Sequence, residues 1–106
     1  MPKYLLRVSY TADGAKGLLK DGGSGRRKAV EDVLAKANGK LEAFYFAFGN
    51  DDAFLIIDLP DNVTAAAISL TVAASGGLKS SSTVLLTPEE MDQAAKKHVE
   101  YRPPGR

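Results

Sequence analysis

Two apolar segments, 40–49 and 53–59, flank the turn-forming run Gly49-Asn50-Asp51-Asp52, and little else in the chain restricts its fold as tightly. Glycine, asparagine and aspartate supply the backbone conformations of a tight turn, so two β-prone runs on either side predict a β-hairpin. Along the first run Phe44, Phe46 and Phe48 fall on one face, and Leu41, Ala43, Tyr45 and Ala47 on the other. Along the second, Phe54 and Ile56 alternate with Leu55 and Ile57, so that both faces are apolar. An antiparallel strand with one wet face alternates polar with apolar; a hairpin apolar on both faces has to be covered on both.

The flanking segments supply the rest of the architecture. Residues 4–10 alternate as a strand, with Tyr4, Leu6, Val8 and Tyr10 opposite Leu5, Arg7 and Ser9. Thr11 to Lys20 suits a short helix, and three glycines within Asp21–Gly25 predict that it is interrupted there. Val30, Val33, Leu34 and Ala37 form the apolar stripe of a second helical stretch, stopped by Asn38-Gly39. After Pro60, Asp61 or Asn62 caps a helix whose inward stripe reads as Val63, Ala66, Ala67, Leu70 and Ala74, closed by Gly76-Gly77.

Residues 79–87 read as a fourth strand, and Thr87-Pro88-Glu89-Glu90 as a capping box opening a third helix. Met91, Ala94, Ala95 and His98 would share one face of that helix, and residues 98–106 leave as an extended tail. Strand-helix-strand-strand-helix-strand predicts an α+β domain: a ferredoxin-like antiparallel sheet with an added C-terminal helix. Two helices cover one side of such a sheet. A second copy of the chain is the expected cover for the other, because closed two-fold dimers are the commonest oligomers; the third helix folding back is the alternative.

At 106 residues the chain is expected to be one domain, 1–106, and 44% hydrophobic with 25% charged residues is an ordinary globular balance. Fourteen basic against thirteen acidic residues, net +1, gives no broad field for nucleic acid or acidic lipid, and no Arg/Lys-Gly-Phe-type strand motif marks an RNA binder. Without cysteine there is no disulfide or thiolate site, and the single histidine, His98, makes a metal site an unattractive reading. No run approaches the ~20 apolar residues of a membrane span. The N-terminal residues lack signal-peptide character, so the expectation is a cytoplasmic protein without cofactor, metal, nucleic-acid or membrane partner.

Five segments together resemble the GYD domain family. They are Tyr4-Leu5-Leu6 with Ser9-Tyr10-Thr11, Gly22-Gly23 with Gly25-Arg26-Arg27, Phe46-Ala47-Phe48-Gly49, Asp58-Leu59-Pro60-Asp61, and Leu86-Thr87-Pro88-Glu89-Glu90. The resemblance implies a fold of the dimeric α+β barrel group, which includes small monooxygenases and isomerases, and it stops short of an activity. Asp51 stands where the tyrosine of the family's name-giving turn would be.

Polar residues set among apolar strand faces are the candidate ligand positions: Arg7, Ser9, Tyr45, Asp58 and Thr83. Arg7 and Asp58 would otherwise form an ion pair at the dimer seam. Gly23, Ser24, Gly25, Arg26 and Arg27 combine flexible amides with two guanidinium groups at a helix start, the ingredients of an anion site, though a surface loop has the same composition. Asp51 and Asp52 read as turn formers, and His98 as an ordinary helix residue. The leading functional expectation is a homo-oligomeric small-molecule-binding protein. The alternatives are a cofactor-free oxygenase or isomerase, and an assembly module with no ligand.

Overall fold

A computed structural model describes residues 1–106 of the chain. Four strands, β1 (Lys3–Tyr10), β2 (Lys40–Phe46), β3 (Ala53–Asp58) and β4 (Leu78–Leu85), alternate with three helices, α1 (Ala12–Lys36), α2 (Asn62–Ser75) and α3 (Pro88–Lys96), in the order β1-α1-β2-β3-α2-β4-α3. The strands form one antiparallel sheet, β2-β3-β1-β4, which is the topology of a ferredoxin-like fold with an added C-terminal helix.

Element boundaries follow local chemistry. The Thr11, Asp61 and Thr87 side chains each accept a hydrogen bond from a first-turn amide of α1, α2 and α3, and Glu90 completes the capping box by accepting from the Thr87 N–H at 3.0 Å. At the far end of α1, Asn38 takes a left-handed φ of 60° and the Gly39 N–H reaches Leu34 O at 2.7 Å; α2 ends on Gly76 with φ 77°. In the hairpin, Asp52 accepts from the Tyr10 N–H at 2.8 Å and its own N–H donates to Val8 O at 2.7 Å. That aspartate therefore forms the turn and fastens it to β1.

Four expectations are corrected. The glycine run does interrupt the helix within Asp21–Gly25, but as a one-residue break and not as a surface loop: only Gly22 leaves helical geometry, at φ 75° and ψ 168°, and Gly23, Ser24 and Gly25 already belong to the resumed helix. In β2 a register shift between Leu41 and Ala43 turns Leu41 to the same side as Phe44 and Phe46, facing the helices, while Ala43 and Tyr45 face away; the strand ends before the fully exposed Phe48. An extra residue in one strand reverses the alternation, which period-two counting cannot anticipate. In α2 the inward residues are Ala65, Ile68 and Val72, and the predicted stripe of Val63, Ala66, Ala67, Leu70 and Ala74 is exposed. Finally, α3 ends at Lys96, which leaves His98 outside it.

The core lies between the sheet and the helices α1 and α2. Tyr4, Val8, Leu34, Ala53, Leu55, Ile57, Leu59 and Leu78 are its fully buried members, and eight is few for a chain of this length. Every residue of α3 is exposed, so the alternative of α3 folding over its own sheet is not adopted. Its departure lengthens the molecule: extents of 57 × 32 × 23 Å and a radius of gyration of 16.9 Å exceed the ~13 Å of a compact chain this size.

Candidate functional site

The sheet has one face under the helices and one bare. Arg7, Ser9, Tyr45, Asp58 and Thr83 all lie on the bare face, each at a register position alternate to the buried ones. They do not converge. Tyr45, Phe54, Arg7 and Ser81 form one row across the strands, Thr83 sits a row away beside Leu5, and Ser9 pairs with Lys79 and donates from Oγ to Asn50 O at 3.1 Å.

Asp58 is four residues along from the Arg7 row, about 13 Å at ~3.3 Å per residue, so the expected Arg7–Asp58 pair is not made. Lys3 takes that place: its Nζ lies 2.8 Å from Asp58 Oδ1 and 3.0 Å from Glu42 Oε1. The hydrogen bonds to Asp58 first and Glu42 second push the Lys3 pKa above its ordinary 10.5. Between the charged end and the polar β4 edge, Leu5, Ile56, Phe54 and Tyr45 give the bare face an apolar centre, with Tyr45 72% exposed.

The other side of the sheet contains a partly open space, with Val33, Ser80 and Ser82 on its wall exposed. A cavity of about 130 Å3 opens between α1, α2 and the inner face of β1, β3 and β4. Its walls are mostly aliphatic, from Leu6 and Leu55 on the sheet to Val30 and Val72 on the helices. Tyr4 also lines it, but the tyrosine hydroxyl is already committed, donating to Asn62 Oδ1 at 2.6 Å.

Two kinds of polar group interrupt these walls. Ser80 and Ser82 occupy inward positions of β4, paired with Val8 and Leu6, and Ser69 comes from α2. Arg26, one turn past the Gly22 break, is the only charged residue that lines the space. Its Nε is buried and has no hydrogen-bond partner, and Arg26 takes part in none of the chain's four ion pairs. A buried donor left unpaired costs ~1–3 kcal/mol, more when the group is charged.

Of the five residues suggested for an anion site, the structure therefore turns only Arg26 to a cavity; Gly23, Ser24, Gly25 and Arg27 are exposed. Sequence reasoning missed Ser69, Ser80 and Ser82. A legible signal existed for β4, where Leu78, Ser80, Ser82 and Val84 share the helix-facing side and two serines stand between apolar residues.

Little in the arrangement resembles a catalytic group. His98 lies in the exposed tail with Glu100 at 4.0 Å, far in the chain from Arg7 on the bare sheet, and no three His, Cys, Asp or Glu side chains gather as metal ligands. No helix is long and apolar enough to cross a membrane.

Neither a curated protein nor a solved structure matches the chain. The GYD domain matches residues 4–95, from the first residue of the inner sheet face to within one residue of the end of α3. With most of its length covered by that match, and with the sheet, caps and turns arranged as described, the chain belongs to the GYD domain family.

Proposed function

We propose that this protein is a homo-oligomer that binds a small molecule between its helices and its sheet. The single observation that carries the ligand reading is the 130 Å3 cavity with the unpaired Arg26 Nε on its wall. Close packing is the norm in protein interiors and buried donors are normally paired, so a void and an orphan donor at one place are what an unfilled binding site leaves. The oligomer reading draws on the apolar centre of the bare sheet, on the few fully buried side chains and on the exposed α3.

Toluene is a neutral probe of the cavity because its only attraction there is shape and apolarity. It is expected to raise the melting temperature of the unmodified chain in a concentration-dependent way, since a ligand that binds only the folded state stabilises it. Val30→Phe, which fills the cavity, is expected to abolish that rise. No response to toluene, or an equal response in Val30→Phe, would contradict the ligand reading.

A second reading, an assembly module without a ligand, is favoured by the solvent-exposed apolar residues Val63 and Leu70 on the outer side of α2 and by the projecting α3. A helix apolar on all sides is ordinarily buried on all sides. Self-association without any toluene response is the result that would select this second reading.

A further inference from the structure

We infer that the molecule held between helices and sheet is a small carboxylate with an apolar body, aryl or branched-chain, its carboxylate bound by Arg26. This rests on the reading of the cavity as a ligand site and adds the chemical class.

Charge decides the head group. Arg26 is the one charged residue on the cavity wall, and no aspartate or glutamate lines the space to balance it. An anion is the complement of a lone, half-buried guanidinium whose Nε is shut off from water, and a cationic ligand would meet unopposed repulsion. Geometry favours a carboxylate over other anions. The guanidinium presents its Nε–H and an Nη–H in parallel, matching the two oxygens of a carboxylate, and it is the Nε that lacks a partner. A phosphate carries close to two charges and asks for several donors, whereas this wall offers one cation and the hydroxyls of Ser69, Ser80 and Ser82.

Volume and lining decide the body. A space of 130 Å3 is close to the ~150 Å3 engineered apolar cavity that accepts benzene, and it has room for about a single ring or a short branched chain. Leu6, Val8, Leu55, Val30 and Val72 offer that body only apolar contact. A polar substituent remote from the carboxylate would therefore be buried without a partner and selected against.

The test uses four probes of one size and different heads, benzoate, benzyl alcohol, benzylamine and toluene, titrated calorimetrically into the unmodified chain, Arg26→Met and Ser82→Ala. Benzoate is expected to bind the unmodified chain at least tenfold more tightly than toluene or benzyl alcohol, and benzylamine not at all. Arg26→Met is expected to lose at least tenfold in benzoate affinity and keep toluene affinity. Without ligand it should melt at the same temperature or higher, because a methionine needs no partner there. Ser82→Ala should weaken benzoate and leave toluene unchanged.

Benzoate binding no tighter than toluene, or undiminished in Arg26→Met, would overturn the carboxylate assignment while the cavity stayed a ligand site. Silence from all four probes would remove the ligand reading and the assignment together. The head-group comparison on the unmodified chain decides the matter even if a variant fails to fold.

Discussion

Gly14 and Gly77 meet backbone to backbone: a Cβ on Gly14 would stand 1.7 Å from the Gly77 carbonyl oxygen. The same crossing is stitched by the Thr11 N–H donating to Gly77 O at 3.1 Å and by Thr11 Oγ1 donating to Gly76 O at 2.9 Å. The start of α1 is thereby set against the turn that leads into β4.

Gly14→Ala must push that backbone apart, and is expected to destabilise the fold by ~2–3 kcal/mol or more in urea denaturation. Gly17 has nothing within 4 Å of its would-be Cβ, so Gly17→Ala is expected to gain ~0.5–1 kcal/mol from helix propensity. Equal effects at the two positions would show that the crossing is looser than described.

Two charged groups carry opposite pH signatures. The Thr64 N–H bonded to the Asp61 carboxylate holds its pKa below the ordinary 3.8, so its contribution is complete above 3.8 and is lost as pH falls through the lowered value. Asp61→Asn is therefore expected to melt below the unmodified chain at pH 5, with the gap closing towards pH 3. Lys3 is the reverse case: its pKa is raised above 10.5, so its contribution is complete below 10.5 and is lost as pH rises beyond it. The penalty of Lys3→Met should persist at pH 9 and vanish only in stronger alkali. Thermal melts of the three proteins against pH check both signs.

The bare sheet predicts self-association. Sedimentation equilibrium is expected to give at least twice the 11.3 kDa chain mass. Phe54 lies on the bare face between Tyr45 and Arg7, next to Ile56 along β3, and a symmetric interface would use it twice. At ~1.5–3 kcal/mol for each buried aromatic, Phe54→Asp is expected to weaken association by ~100-fold or more. Phe48→Asp, at a fully exposed position beyond the end of β2, should leave the mass unchanged.

Topology and caps were legible because they depend on local signals: Thr87 to Glu90 forms the capping box its spacing describes, and Asn38-Gly39 stops α1 through a left-handed asparagine. What periodicity missed has physical reasons. Helix α2 is apolar around most of its circumference, so no stripe in the sequence marks the side that packs, and Ala65, Ile68 and Val72 were no more apparent than Val63 or Leu70. The bulge near Glu42 reversed the faces of Leu41 relative to Ala43 without any glycine to announce it. Of the site, Arg26 stood out by charge, but its partners did not, because the cavity joins residues of β1, β3, β4, α1 and α2 that only the tertiary fold brings together.

The proposed function puts a ligand on the helix side of the sheet and a second copy on the bare side, and one methyl-NMR series tests the two separately. Benzoate titration is expected to shift the methyl signals of Leu6, Val30 and Leu55 on the cavity wall, while dilution of the unliganded protein shifts those of Leu5 and Ile56 on the bare face. Benzoate shifts confined to Leu5 and Ile56, or methyl signals on the bare face that ignore a hundredfold dilution through the dissociation range, would contradict that division.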